Sequence, residues 1–244
     1  MRVFDFDGTI YDGESLFDLY LFSVRYEPRV LRYIAPVLGC GIRHKIGRAE
    51  LSQMERRLDA VIRRYLVDLE TSRRLGRARR RLRTGKPTLA FFEPNPIPKA
   101  GPDNPAAGVR GGGAAVSGVA GTDVGHGGLD VLSALFWDRK FRKIKSWYVP
   151  RPDDVVITAS FDLTVGEACR RLGVRHLIAS TIDPETLEIS YLNFSTNKVR
   201  RFREIYGEDA VIDEFYTDSR PDQPMIDIAR RAYLVKGDRI TRIK

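Results

Sequence analysis

The sequence predicts an α/β protein built on a parallel, doubly wound sheet, with a mainly helical segment inserted after the first strand. Three observations support this prediction. An apolar run opens the chain at residues 2–6, strand and helix patterns alternate from Asp153 onward, and a long stretch with helical periodicity separates the two. The length of 244 residues and an apolar fraction of 43% are sufficient for a large hydrophobic core.

The first half of the chain contains one strand and several helices. Residues 2–6 are predicted to form a buried strand, which Gly8 ends with a tight turn. Densely apolar residues 16–24 and the amphipathic pattern from Leu51 to Leu69 predict helices. The amphipathic helix continues into Arg73–Arg83, where seven arginines in eleven residues favour an exposed face.

A segment rich in proline and glycine, residues 84–128, interrupts the helical pattern. It has too few apolar side chains to offset the entropy of ordering, so we expect a mobile insertion there. A further helix is predicted from Leu129 to Trp147.

The second half of the chain predicts alternating strands and helices. Its elements are, in order, a strand at Val155–Ile157, a helix at 162–172, a strand at Val174–Ala179, a hairpin at Ile182–Leu192 turning at Asp183-Pro184, a helix at Lys198–Tyr206, a strand at Val211–Tyr216, a helix at 223–231 and a strand at Ala232–Val235. We therefore expect residues 1–12 and 150–244 to form the core and residues 13–149 to form an inserted cap.

The positive charge is confined to the inserted segment. From Gly13 to Val149 there are 25 basic and 13 acidic residues, whereas the rest of the chain has 16 basic and 19 acidic ones. Arginine dominates this excess, which coding bias explains in part, and no recognition motif accompanies it, so no specific nucleic acid is expected. Two distant cysteines, Cys40 and Cys169, and an N-terminus that begins directly with a strand lead us to expect a cytoplasmic protein without a signal peptide.

Two carboxylates follow the first strand, in Asp5-Phe6-Asp7-Gly8-Thr9. Ligands of parallel α/β sheets bind beyond the carboxyl ends of the strands, which is where Asp5 and Asp7 are expected to lie. Two acidic groups there repel each other unless a cation or a proton shares the site. The alternative is a strand followed by a solvated turn.

Three more polar clusters are expected at the same edge of the sheet. Thr158 comes just past a strand, Lys198 lies near the start of a helix, and Asp218 and Asp222 follow the strand that ends at Tyr216. Each has an ordinary alternative when taken singly: a strand-end hydroxyl, a solvated lysine, a turn and a helix cap. Together, hard oxygen ligands and a lysine suit Mg²⁺ and a phosphoryl group.

These motifs, in this order, resemble those of the haloacid dehalogenase superfamily of phosphohydrolases, and most closely its phosphoserine-phosphatase-like branch with a helical cap. The resemblance implies a three-layer, Rossmann-like parallel sheet core with an inserted, mainly α-helical cap. It also implies that Asp5 is the nucleophile that forms an aspartyl-phosphate, and that Asp7 is the acid and base.

The resemblance further implies that Thr158 and Lys198 hold the phosphoryl oxygens. Asp218 would bind Mg²⁺ with Asp5 and the backbone carbonyl of Asp7, while Asp222 orients these ligands.

One further position matches the pattern of the phosphoserine-phosphatase-like branch, and two depart from it. Glu14 matches a substrate-facing carboxylate of that branch, with the alternative that it caps the first helix of the cap. Thr217 replaces the usual glycine before Asp218, and Pro221 occupies a position that is polar in phosphoserine phosphatases. The substrate is therefore expected to be a small phosphorylated metabolite that the sequence does not identify.

Two alternatives stay open beside a Mg²⁺-dependent phosphatase of phosphomonoesters. The basic and aromatic stretch Tyr20–Lys45 could lie on an anionic membrane, which would make the substrate a lipid phosphate such as a phosphatidylglycerophosphate. The competing interpretation is that its aromatic side chains pack inside the cap. The other alternative is a basic binding module with a relic site, in which Arg73–Arg83 contacts nucleic acid.

Overall fold

The computed structural model of the chain describes residues 1–35, 51–84 and 127–244. The proline- and glycine-rich insertion predicted at 84–128 lies almost entirely outside the described residues, as do Cys40 and residues 36–45 of the stretch Tyr20–Lys45. The bounds of the helices and strands below refer to the described residues.

Seven strands form one sheet in the order β4-β3-β2-β1-β5-β6-β7. The central strand β1 pairs in parallel with β2 and with β5, and β3 and β6 extend the parallel arrangement on either side. The edge strands β4 and β7 are antiparallel to their neighbours. The bounds are β1 Arg2–Phe4, β2 Val155–Phe161, β3 His176–Ile182, β4 Ile189–Tyr191, β5 Ile212–Thr217, β6 Ala229–Lys236 and β7 Arg239–Arg242. The predicted α/β class with a parallel core is confirmed.

Helices flank both faces of the sheet. Their bounds are α1 Ser15–Ser23, α2 Leu51–Glu70, α3 Arg73–Thr84, α4 Gly127–Lys140, α5 Asp162–Leu172, α6 Thr196–Tyr206 and α7 Gln223–Ile228. Short 3₁₀ turns lie at Pro28–Tyr33, Phe141–Lys143 and Arg220–Asp222. Helix α5 ends, as predicted, at Gly173, whose φ of 72° is the left-handed conformation that glycine adopts without strain.

Two hydrophobic clusters divide the core between the faces of the sheet. Val3 belongs to one cluster and its neighbour Phe4 to the other, because successive side chains of a strand point to opposite faces. Phe202 of α6 and Met225 of α7 join Val3. Helices α1, α2, α4 and α5 contribute to the cluster around Phe4. The molecule is therefore a three-layer α/β/α structure, as expected.

The inserted segment packs directly on the core. Trp137 of α4 is fully buried, and its indole N–H donates a hydrogen bond of 2.7 Å to the carbonyl oxygen of Thr164 in α5. The aromatic residues of Tyr20–Lys45 within the described part also pack inward; Phe22 and Tyr33 are each 5% exposed. None of the described helices combines the length and apolar character needed to cross a bilayer. The division into a core and a cap at residues 12 and 150 stays a prediction.

Several element boundaries differ from the sequence predictions. Strand β1 stops at Phe4 rather than residue 6, because the N–H groups of Ile10 and Tyr11 both turn back to the carbonyl of Phe6. The helix predicted to reach Trp147 ends at Lys140, and the following chain instead pairs with Tyr11 through Ile144.

The last helix and strand also change. The helix predicted at 223–231 ends at Ile228, since Ala229 pairs with Ile212 and begins β6. Strand β7, Arg239–Arg242, was not predicted; its four residues are exposed and half of them are charged.

Candidate active site

Asp5 lies at the centre of a buried charged cluster. It follows β1 directly, its N–H bonds to the carbonyl of Tyr216 in β5 at 2.8 Å, and the residue is 6% exposed. Nζ of Lys198, in the first turn of α6, lies 3.0 Å from Oδ1 of Asp5 and 2.7 Å from Oδ1 of Asp222. The Thr217 hydroxyl donates to the other Asp222 oxygen at 2.7 Å. One lysine thus joins two carboxylates from separate strand ends.

Asp7 is held by two hydrogen bonds from different elements. The N–H of Ser15, the first residue of α1, donates to Oδ1 of Asp7 at 2.6 Å. The hydroxyl of Ser160 in β2 donates to Oδ2 at 2.5 Å. Both carboxylate oxygens therefore have fixed partners, and the side chain is oriented by the start of a helix and a neighbouring strand.

Asp218 packs against the turn that follows Asp7. Gly8 has a φ of 67°, and a Cβ placed on it would lie 2.0 Å from Oδ2 of Asp218. Only a glycine leaves room for this contact. The loop after β1 and the loop after β5 are thus in direct contact at this point, and the charge of Asp7 acts on Asp218.

Thr158 is buried inside β2 rather than just past a strand. The regular pairing of β2 with β3 ends at Ile157, however, and its register shifts before Phe161. The N–H of Ser160 donates to the Thr158 hydroxyl oxygen at 3.1 Å, and the side-chain amide of Asn193 donates to its carbonyl at 2.8 Å. These bonds fix an irregular stretch within β2, in which the Thr158 hydroxyl oxygen accepts a backbone hydrogen bond.

The carboxyl groups of this cluster have shifted pKa values. Burial raises the pKa of Asp5 to about 8; Lys198 opposes the shift, while Asp222 and Asp7 add to it. Burial also raises the pKa of Asp7 and of Asp218. Burial lowers the pKa of Lys198, but the charges of Asp5 and Asp222 outweigh it and leave that pKa above its ordinary value. The cluster thus holds more acidic groups than it can keep ionised without further positive charge.

Glu14 lies at the start of α1 on the side of this cluster. It occupies the N-cap position, but its side chain makes no capping hydrogen bond. Burial, followed by the charges of Asp7 and Asp218, raises the pKa of Glu14 to about 7. Glu14 therefore feels the charges of the acidic cluster, although its backbone position is that of a helix cap.

The residues fit a divalent cation with hard oxygen ligands. Among the described residues, no three acidic, histidine or cysteine side chains are grouped so that they could hold a metal ion by themselves. The set implied by the resemblance has only two carboxylates, those of Asp5 and Asp218, completed by the Asp7 carbonyl. Mg²⁺ commonly uses few protein ligands and fills the rest of its shell with water and substrate oxygens. Burial, and then the charges of Asp222 and Asp7, raise the pKa of Asp218. A cation bound next to this carboxyl group would offset these effects.

Three contacts of the site were not predicted. Ser160 and Ser15 hold Asp7, and Nζ of Lys145 donates to the carbonyl of Gly8. Ser160 is two residues from Thr158, so its spacing offered a signal. Lys145 is 137 residues from Gly8 in sequence, and nothing in its basic surroundings distinguishes it from exposed lysines.

Taken together, the structure defines an α/β protein with a buried acidic site and two buried lysines, Lys145 and Lys198, at the carboxyl edge of a parallel sheet. No family model and no curated protein matches the chain. Several solved structures are similar to it in fold.

A protein of unknown function from Bordetella pertussis is 15% identical, with 95% of this chain and 87% of that chain covered and a TM-score of 0.49. A haloacid dehalogenase family hydrolase from Salmonella enterica serovar Typhi is 11% identical, with 93% and 59% covered and a TM-score of 0.45. A phosphoserine phosphohydrolase-like protein from Francisella tularensis is 12% identical, with 95% and 86% covered and a TM-score of 0.38. These likenesses concern the fold, and the function is inferred from the site.

Proposed function

We propose that the chain is a Mg²⁺-dependent phosphatase that hydrolyses a small phosphomonoester through a phosphorylated Asp5. One observation carries the proposal: Asp5 is buried at the carboxyl end of the central strand, with Lys198 3.0 Å away and the charges of Asp222 and Asp7 acting on it. A site that collects anionic oxygen ligands and a fixed ammonium group suits a phosphoryl group and a cation, since each neutralises charge on the other.

In the first step, an Asp5 oxygen attacks phosphorus and the bond from phosphorus to the leaving oxygen breaks. Asp7 gives its proton to that oxygen, so the product leaves as an alcohol. The hydrogen bonds from Ser15 and Ser160 hold the Asp7 carboxyl in one orientation for this transfer. Asp7 is then ionised and ready to act as a base.

In the second step, water attacks the phosphorus of the aspartyl-phosphate while Asp7 takes its proton. Inorganic phosphate leaves, and Asp5 returns to its free carboxylate form. Lys198 and the Thr158 hydroxyl would bind phosphoryl oxygens in both steps, and Asp222 holds Lys198 in position through its 2.7 Å ion pair.

Mg²⁺, bound by Asp5, Asp218 and the Asp7 carbonyl, would polarise the phosphoryl group and offset its negative charge. Glu14 lies at the start of α1, where a carboxyl group can contact the leaving group of a substrate. We propose it as a substrate contact, and its raised pKa of about 7 makes a neutral, hydrogen-bonding form accessible near neutral pH.

Trapping of the phosphorylated protein tests the proposal most directly. Purified protein is mixed with a radiolabelled aryl phosphate and Mg²⁺, quenched in acid and separated from free phosphate. We expect label on the wild-type chain, more label on Asp7→Asn because hydrolysis of the intermediate slows, and none on Asp5→Asn.

Asp227→Asn serves as the matched control, because the exposed carboxylate of Asp227 accepts a hydrogen bond from the nearby Gln223 and lies outside the acidic cluster. It should label as the wild type does. A chelator should abolish hydrolysis, and added Mg²⁺ should restore it. Full aryl phosphatase activity in a folded Asp5→Asn variant would refute the proposed mechanism.

A further inference from the structure

The short segment after α4 runs alongside the loop that carries Asp7 and Gly8. The N–H of Lys145 donates to the carbonyl of Ile10 at 2.8 Å, and the N–H of Asp12 donates to the carbonyl of Lys143 at 2.8 Å. Tyr11 and Ile144 form an antiparallel bridge between these two bonds. The backbone of this segment is therefore fixed to the loop after β1, and the Lys145 side chain starts from a defined place.

The Lys145 side chain is buried and points to two backbone carbonyl groups. The residue is 6% exposed. Its Nζ donates to the carbonyl of Gly8 and, at 2.9 Å, to the carbonyl of Gly237 in the turn between β6 and β7. Within the described residues, Lys145 forms no ion pair with a carboxylate, whereas Lys198 forms two. A buried ammonium without a bonded counter-charge is unfavourable by itself, so its retention calls for a nearby negative group.

That group is Asp218. The positive charge of Lys145 attracts the Asp218 carboxylate. The two residues are also connected mechanically, because Gly8, whose carbonyl Lys145 holds, packs directly on the Asp218 carboxylate. A movement of the Gly8 peptide by a fraction of an ångström would change this contact.

We propose that Lys145 is a positioning residue of the cation site: it clamps the Gly8 peptide against Asp218 and anchors both to the β6–β7 turn through Gly237. The inference rests on the proposed function, because it assigns Lys145 to the same site. Lys145 touches neither phosphate nor cation. Its effect is to fix the distance between the Asp7–Gly8 loop and Asp218, and thereby the distance between cation ligands.

The test compares Lys145→Met, Lys145→Arg and the control Lys236→Met by Mg²⁺ binding in isothermal titration calorimetry. Lys236 is an exposed lysine next to Gly237, so its variant removes one positive charge from the hairpin that Lys145 contacts. We expect Lys145→Met to weaken Mg²⁺ binding at least tenfold and to raise the Mg²⁺ concentration for half-maximal activity by the same factor. Lys145→Arg should recover part of this loss, and Lys236→Met should match the wild type.

A purely structural role would lower the melting temperature without moving the Mg²⁺ dissociation constant of the folded fraction. A folded Lys145→Met with wild-type Mg²⁺ binding overturns the inference and leaves the proposed phosphatase intact. Failure of the wild-type chain to bind Mg²⁺ overturns both. If Lys145→Met does not fold, Lys145→Gln replaces it, and equal Mg²⁺ affinity in Lys145→Gln, Lys145→Arg and wild type would overturn the inference.

Discussion

The two ends of the central strand carry buried charges of opposite character. At the amino end, Asp154 is fully buried and accepts two hydrogen bonds of 2.8 Å from the Arg2 guanidinium and one from the Tyr148 hydroxyl. At the carboxyl end, Lys198 is shared by Asp5 and Asp222. At the amino end, one carboxylate pairs with one cation and the charges balance. At the carboxyl end, two carboxylates share one lysine, and such an excess of buried acidic groups is typical of functional sites.

The difference shows how burial alone fails to identify a functional residue. Arg2 begins β1 and Asp5 follows its last residue, and both bond to buried partners. The balance of charge distinguishes them. Arg2 and Asp154 neutralise each other, whereas Lys198 is shared by the two carboxylates of Asp5 and Asp222. Substitutions of Lys198, Asp154, Ser160 and Glu167 test this contrast.

Replacing Lys198 by Met should have the largest effect. It leaves Asp5 and Asp222 without their shared cation and removes a group that binds phosphoryl oxygens. We expect kcat for an aryl phosphate to fall by about 10³-fold or more, in the range seen when one electrostatic group is removed from an active site. Steady-state kinetics at saturating Mg²⁺ measure this; a loss of less than tenfold would contradict the proposed role.

Asp154→Ala should affect folding and leave the chemistry unchanged. It removes the partner of Arg2 and should lower the free energy of unfolding by about 3 kcal/mol. This value is at the lower end for breaking a buried ion pair, because the Arg2 side chain is partly exposed to solvent. Urea unfolding gives the stability, and kcat per folded molecule should stay within twofold of the wild type. A selective loss of kcat would remove the contrast between the two ends of β1.

Ser160→Ala tests the orientation of Asp7. The variant loses the 2.5 Å hydrogen bond to Oδ2 of Asp7. Hydrogen bonds to charged groups contribute about 1.5–3 kcal/mol, so we expect kcat to fall roughly tenfold or more with little change in KM. Ser190→Ala is the control, because Ser190, on the edge strand β4, is an exposed serine whose hydroxyl pairs with that of Thr181. Equal kcat values in the two variants would show that Asp7 needs no such support.

Glu167→Gln should have the smallest effect, and one that depends on pH. Burial raises the pKa of Glu167, but hydrogen bonds from Arg170 and Arg171 outweigh it and hold that pKa below the ordinary 4.5. A lowered pKa in the folded state stabilises the protein above pH 4.5, and this contribution is lost as the pH falls through the folded value.

The melting temperature of the wild type should therefore exceed that of Glu167→Gln at pH 7, and the two should converge in acid. A difference in melting temperature that stays constant from pH 7 to pH 3 would exclude this linkage. The effect should stay small, because the pair is partly solvated.

Local patterns were sufficient to predict the parallel core. Apolar runs such as Val155–Ile157, bounded by polar turns, correctly indicated buried strands. Strand β7 was missed because Arg239 and Arg242 give it an exposed, charged character, and its pairing with β6 depends on the turn at Gly237. The edge of a sheet has a weaker sequence signal than its centre, since only one side is paired.

The same limit applies to the site. Asp5 and Asp7 were predictable because a strand and a glycine turn place them, and Lys198, Asp218 and Asp222 were expected at the same edge. The structure brings these residues together, while their catalytic roles stay predictions. Ser160 lies in β2 two residues from Thr158, so its position was visible in the sequence although its bond to Asp7 was not. Lys145 contacts a loop that it meets only after the chain folds, and such a contact leaves no local pattern.

The indole of Trp137 also makes the packing of the inserted segment optically visible. It is fully buried, contacts the rings of Phe6 and Phe136 and donates to a backbone carbonyl of α5. A tryptophan so enclosed emits at short wavelength and shifts to the red when water reaches it. With Trp147 replaced by Phe, a single fluorophore would report, in real time, whether α4 separates from the sheet during turnover.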